Sequence, residues 1–200
     1  MTDAMDNPYV DYICKDYRCV NFETKTRPVT MKIKMARSPD DVDAWIKEQS
    51  PTIMGLDIEW KPMFVPYKSY NKASLLQLSS GDNVLLIQLF QVPITPALKG
   101  VLADETVKKV GVGIQSDADK MLKDWNTPIH GLVDIGHGMS LKKVAMAAIG
   151  VQLTKNKKIC RSNWEKPILS DTQVLYAALD AWVASESFSA LVHELPLSVK

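Results

Sequence analysis

Asp57 and Glu59 lie two residues apart in an otherwise apolar run, Thr52-Ile53-Met54-Gly55-Leu56-Asp57-Ile58-Glu59-Trp60. In a strand, i and i+2 point to the same face. Two carboxylates on one face of a buried strand repel each other and resist desolvation. Solvent, a Lys or Arg partner, or a metal ion must offset them, and an isolated Asp-x-Glu is more often merely exposed or paired. A second pair, Tyr176 and Asp180, is four apart in a helical run, so the two stack on one face. Alone they would read as a half-buried aromatic and a surface acid. A third element, Gly111-Val112-Gly113-Ile114-Gln115-Ser116-Asp117, ends an apolar run in glycines and then brings an acid. Alone, Asp117 would be a helix N-terminal residue, a contribution of about 0.3–1 kcal/mol. Together these residues have a chemical rationale. Hard divalent ions such as Mg²⁺ or Mn²⁺ prefer carboxylate oxygens. Two such ions roughly 4 Å apart serve phosphodiester hydrolysis, and a tyrosine hydroxyl on the same helix face can orient the attacking water.

The elements that must position these groups follow from periodicity. Residues 1–12 read as a polar lead-in, and 13–200 as a single domain. Residues 13–36 alternate apolar and polar in two runs broken at Thr26-Arg27-Pro28. Ser38-Pro39-Asp40-Asp41 starts a helix to about residue 48. Strands are expected at 52–60, 73–78 and 83–89, the last two joined by a Ser80-Gly81-Asp82 turn. Then come a helix at 96–102, a strand at 107–112, a helix at 117–125, a short strand at 131–135, a helix at 141–149 and a long helix at 170–193. Three antiparallel strands followed by alternating α and β predict an α/β fold: a mixed sheet with helices on both faces.

Asp57-Ile58-Glu59, the Gly-Val-Gly-Ile-x-x-Asp run ending at Asp117, and Tyr176-x-x-x-Asp180 resemble the three motifs of the DEDDy exonucleases of the DnaQ-like, RNase H-like superfamily. Residues 73–78 resemble that family's second strand. Arg161-Ser162-Asn163-Trp164, Gln173 and residues 176–181 are similar to the branch of the Werner exonuclease domain and RNase D. The resemblance covers about residues 50–190. It also extends to small stand-alone plant exoribonucleases of the RISC-interacting clearing type. It implies an RNase H-like fold and a two-metal-dependent 3′-5′ exonuclease, using Mg²⁺ or Mn²⁺ and releasing nucleoside monophosphates. Asp57 would bridge both metals, Glu59 and Asp180 would complete the water-activating site, and Asp117 would hold the second ion through its waters. Tyr176 would place the water. Leu175 stands where a histidine five residues before Asp180 would mark the other subtype.

Substrate contacts are expected from Lys155, Lys157, Lys158 and Arg161, which gather before the last helix, although such a basic loop can equally be solvated. Trp60, Met63 and Phe64 follow the first motif, where an apolar side chain can wedge against a terminal base. Core packing is the alternative, and for Trp60 the more natural one. His130, His137 and His193 have no serine or cysteine nucleophile to serve.

With 24 Lys and Arg against 23 Asp and Glu, a net charge of +1, the chain lacks the basic excess of a protein that grips long duplexes. Single-stranded substrate, RNA in preference to DNA, is expected. A Werner-type exodeoxyribonuclease is the alternative, and a catalytically inactive interaction module the remaining one. Three cysteines and an acidic, polar N-terminus point to a reduced compartment, the cytoplasm with the nucleus as a second location, and to no membrane. A small neutral exonuclease needs further surface to hold substrate. Self-assembly into a homo-oligomer is therefore expected, with the alternating segment 9–35 as candidate interface.

Overall fold

The computed structural model describes residues 10–14, 17–63, 70–154 and 157–194, with the backbone alone for 10–14 and Glu194. Its strands are β1 (Val10–Cys14), β2 (Tyr17–Glu23), β3 (Pro28–Met35), β4 (Ile53–Glu59), β5 (Leu75–Ser80), β6 (Asn83–Gln88), β7 (Lys108–Gly111) and β8 (Leu132–Asp134). Its helices are α1 (Pro39–Gln49), α2 (Pro96–Ala103), α3 (Ile114–Trp125), α4 (Leu141–Ile149), α5 (Lys157–Cys160) and α6 (Asp171–Glu194). The described strands form one sheet in the order β1-β2-β3-β6-β5-β4-β7-β8. β4, β5 and β6 are the expected antiparallel meander, and β7 and β8 add in parallel beyond β4.

Alternation along each strand divides the core in two. Met54, Leu56 and Ile58 of β4, with Leu76 and Leu78 of β5 and Leu85 and Ile87 of β6, pack with α1, α2 and α3. Leu75, Val84 and Leu86 share the opposite face with β2, β3, α4 and α6. By the same period of two, Gly55, Asp57 and Glu59 face α6.

Local signals explain the helix starts. Ser38 and Asp41 form a reciprocal capping box with Pro39 in the first turn of α1. Gly113 holds α3's N-cap at φ +69°, a left-handed conformation that favours glycine. The helix consequently begins at Ile114, three residues before the expected 117, and Asp117 lies inside it. A second network seats α6. The Arg27 guanidinium donates to both Asp82 oxygens, at 2.8 and 2.7 Å, and its Nε donates to Glu186 at 3.1 Å. Trp182 Nε1 donates to the same Asp82 at 3.1 Å. The β2–β3 turn, the β5–β6 turn and α6 are thereby tied at one point.

The structure corrects three expectations. β1 begins at Val10, so the sheet reaches back into the segment read as lead-in. The segment offered as a subunit interface is largely used within the chain: β2 and β3 pair antiparallel, and β3 joins β6 in parallel. Alternation marks a sheet strand, but it does not reveal whether the partner belongs to the same chain. The basic segment before α6 contains a short helix, α5.

Candidate active site

The site is assembled at Gly55. A Cβ there would fall on the carbonyl oxygen of Ala181 and the hydroxyl of Ser79, so α6 lies directly on β4. The Ser79 hydroxyl donates to Ala181 O at 2.9 Å and is 2.8 Å from the Ser185 hydroxyl, which fastens the two elements. The next residues on that face of β4 are Asp57 and Glu59. They meet Asp180, the neighbour of Ala181, and one carboxylate oxygen from each of the three lies within 4.8 Å of the others. All three are half-buried. Oxygen donors, this spacing and partial burial suit a hard divalent cation.

Asp117 stands just outside that triple, on the first turns of α3. Gly111 lets α3 approach, since a Cβ there would be 3.0 Å from Leu56 O and 3.2 Å from the Ile114 side chain. Asp134 was not singled out from sequence. Its Oδ2 accepts from Gly113 N at 3.1 Å and its Oδ1 from Gly136 N at 2.8 Å, pinning the turn that starts α3. The available signal was an acid followed two residues later by glycine at the end of a short strand.

Tyr176 lies one turn before Asp180. The Cys160 thiol donates to its hydroxyl at 3.2 Å, and its ring tilts against fully buried Trp164 with centroids 6.2 Å apart. Trp164 Nε1 donates to Cys160 O at 3.2 Å. Buried Gln173 clips this segment to the start of α6, donating to Ser162 Oγ at 2.8 Å and Asn163 O at 3.2 Å. The run 161–164 and Gln173 thus hold Cys160 against Tyr176.

The electrostatics agree with the crowding. Burial pushes Asp57 up to about 7, against the pull of the Ile58 N–H that donates to its Oδ1 at 2.9 Å. Burial first, then Asp57 and Asp134, raise Asp117 to about 8. Glu59 rises to about 10 through burial, then Asp57, Asp180, Cys160 and Asp117. Burial and the Asp180 charge raise the Tyr176 phenol well above its ordinary value. Divalent cations at these oxygens would reverse the carboxylate shifts.

The remaining candidates divide. Trp60 is 40% exposed and Met63 55%, so Trp60 is a surface ring and not a core one. At the end of a strand it turns away from the face of Glu59, and the Lys120 ammonium lies 4.8 Å from its ring centroid. Phe64 and Lys155 fall outside the described residues. Lys157 and Lys158, on α5, and Arg161 just after it are exposed beside Cys160. Lys61 and Glu165, 3.6 Å apart, join the stretch after β4 to the segment before α6. His130, His137 and His193 are exposed. Gln77, the cross-strand partner of Asp57, was also missed. It is fully buried, and neither polar atom of its amide has a hydrogen-bond partner.

A family profile described as 3′-5′ exonuclease matches residues 33–196. The chain is 31% identical over 141 residues to the bifunctional 3′-5′ exonuclease/ATP-dependent helicase WRN of Mus musculus, covering 65% of this chain and 10% of that protein. It is 30% identical over 158 residues to the exonuclease 3′-5′ domain-containing protein 2 of Homo sapiens, covering 70% of this chain and 25% of that one. The chain thus spans a quarter or less of these relatives' length. Escherichia coli RNase D, an exoribonuclease involved in structured RNA processing, shares the fold with a TM-score of 0.71 at 21% identity, over 82% of this chain and 45% of that one.

Proposed function

The chain belongs to the 3′-5′ exonuclease family, and from that membership we propose that it hydrolyses single-stranded nucleic acid from the 3′ end, RNA in preference to DNA, releasing nucleoside monophosphates. The observation that carries this reading is the convergence of Asp57, Glu59 and Asp180 within 4.8 Å beside the Tyr176 hydroxyl. Asp57, Glu59 and Asp180 would hold one divalent ion, and Asp117 with Asp57 a second, Mg²⁺ or Mn²⁺. When bound, such ions activate water and stabilise the leaving oxygen in phosphodiester hydrolysis.

The chain's own residues supply position. The half-buried Tyr176 phenol, raised well above its ordinary value by desolvation and the Asp180 charge, keeps its proton across the working pH range. It serves as an orienting hydrogen-bond partner for the attacking water, not as a base. Cys160 and Trp164 hold that ring in place. Exposed Met63 and Trp60 would stack on a terminal base, Trp60 only by swinging from its place beside Lys120, and exposed Lys157, Lys158 and Arg161 would hold phosphates. A single strand suits a chain with net charge +1, which would grip by a local patch. The preference for RNA draws on the exoribonuclease among its fold relatives. We further propose a cytoplasmic protein, with the nucleus as a second location, that self-associates to extend its grip; its particle mass in solution tests the latter.

The test uses matched 5′-labelled single-stranded RNA and DNA of one sequence with Mg²⁺, beside Asp57→Ala. A ladder shortening from the 3′ end, absent in the variant and abolished by EDTA, is expected, with RNA the faster substrate. Faster DNA degradation would favour the exodeoxyribonuclease alternative. Intact substrate under both metals would refute the exonuclease reading.

A further inference from the structure

Beyond the carboxylates, α3 runs away from the site, and a strip of rings and ammonium groups follows it. Lys120 Nζ is 4.6 Å from the Tyr70 ring centroid, and Lys123 Nζ is 4.2 Å from the same ring. Further along, Lys72 Nζ is 5.0 Å from the Trp125 ring, against which Phe90 packs edge-on at 5.4 Å. Tyr70 is 50% exposed and Phe90 55%. Two exposed rings interleaved with ammonium groups match a ligand that carries both flat faces and anions.

The strip has a rigid base. The Asp124 carboxylate, with no exposure, accepts from Tyr70 Oη at 2.6 Å and Ala73 N at 2.7 Å, and pairs with Lys120 at 3.0 Å. Trp125 Nε1 donates to Ala73 O at 2.9 Å. Asp124 therefore neutralises Lys120, whereas Lys72 and Lys123 have no carboxylate partner among the described residues. From Asp117 to Trp125 the helix advances about 12 Å. At roughly 3.4 Å per phosphate in a stacked strand, that is space for about three nucleotides.

We propose that Tyr70, Lys72, Phe90, Lys123 and Trp125 form a track for the nucleotides on the 5′ side of the scissile one, with bases stacked on the rings and phosphates on the two lysines. This rests on the exonuclease reading above. Flat faces alternating with anions are what a single strand presents, and ring stacking tolerates any base sequence.

The experiment compares the unaltered chain with Lys72→Ala/Phe90→Ala/Lys123→Ala, three exposed side chains. Substrates are single-stranded RNAs of two to eight nucleotides with Mg²⁺. For the unaltered chain kcat/KM should rise with length, and in the variant the octamer-to-dinucleotide ratio should fall at least fivefold. In parallel, fluorescence anisotropy of a labelled octamer in EDTA reads binding without turnover. The slope of log K against log salt should become shallower by about 1.4 in the variant, at about 0.7 for each of two phosphates lost. An unchanged ratio and slope would overturn the track and leave the patch as a protein contact or a loop clamp. If the unaltered chain cleaves nothing, the exonuclease reading fails, while the anisotropy arm still decides the track.

Discussion

Asp57, Glu59 and Asp117 are costly residues in the metal-free fold. Their folded values, about 7, 10 and 8, all lie above those of an unfolded chain, near 4. The folded state therefore holds protons that the unfolded state releases. That contribution to stability is fully present below about pH 4 and is lost as pH rises through 7 to 10. Without metal, the thermal midpoint should fall between pH 6 and 9, a window in which Asp41, held at about 2 chiefly by the Lys34 hydrogen bond, stays ionised throughout. Mg²⁺ or Mn²⁺ should reverse the fall by binding the native state alone, and Asp57→Asn should flatten it. A midpoint independent of pH and metal in calorimetry would refute the cluster's electrostatics. Tyr176→Phe removes one hydroxyl and leaves the ring against Trp164. Turnover should drop by roughly 10- to 1,000-fold, about 1.4–4 kcal/mol in the barrier. Substrate and metal affinity should hold within about threefold, read by single-turnover kinetics and equilibrium binding. A large loss of affinity instead would make Tyr176 a gripping residue.

At the scale of elements, the crossing of β4 and α6 sets the site. Gly55, Ser79 and Ala181 are small enough for the two to touch, and the next residues along each bring the carboxylates together. Gly55→Ala puts a methyl group into the Ala181 carbonyl. Relieving it requires α6 to lift, at about 1–3 kcal/mol of overpacking, and the lift separates Asp180 from Asp57. The variant should lose metal affinity along with activity. Its denaturation midpoint and Mn²⁺ titration would show this, and native metal affinity in the folded variant would count against the seam. Much at this scale was legible beforehand. The strand alternation, the helix start at Ser38 and the span of α4 follow from local patterns. The start of α3 did not, because its N-cap is Gly113 with no side-chain hydrogen bond to advertise it. Nor did the exposure of Trp60, because alternation continues past the strand end, where the sheet no longer covers a ring.

For the whole molecule, the N-terminal strands matter most. By joining β6 they continue the sheet and supply core under α4 and α6, and the Arg27–Asp82–Trp182 network then fixes α6 from its far side. Most of the segment expected to face another subunit is thus spent within the chain, and among the described residues β1 and β8 are the outer strands of the sheet. Self-association of this segment through β-strand pairing would use the β1 edge. Gel filtration with light scattering should give a mass that is a multiple of 22.3 kDa at micromolar concentration. A clean monomer would remove the oligomer, and deletion of residues 1–14 without change in a larger mass would remove β1 as its contact.

What the sequence determined by itself was identity and period: which side chains can bind a hard cation, which faces they share along one strand or one helix, and the order of elements that carry them. These are local properties, set within a few residues by backbone geometry. Proximity between residues far apart in the chain is a different quantity. The meeting of Asp57 with Asp180 depends on the absence of a Cβ at Gly55, the pressure of Cys160 and Trp164 on Tyr176 depends on Gln173, and the bare amide of Gln77 opposite Asp57 follows from strand register. Close packing and long-range pairing decide each of these, so only the tertiary structure could disclose them.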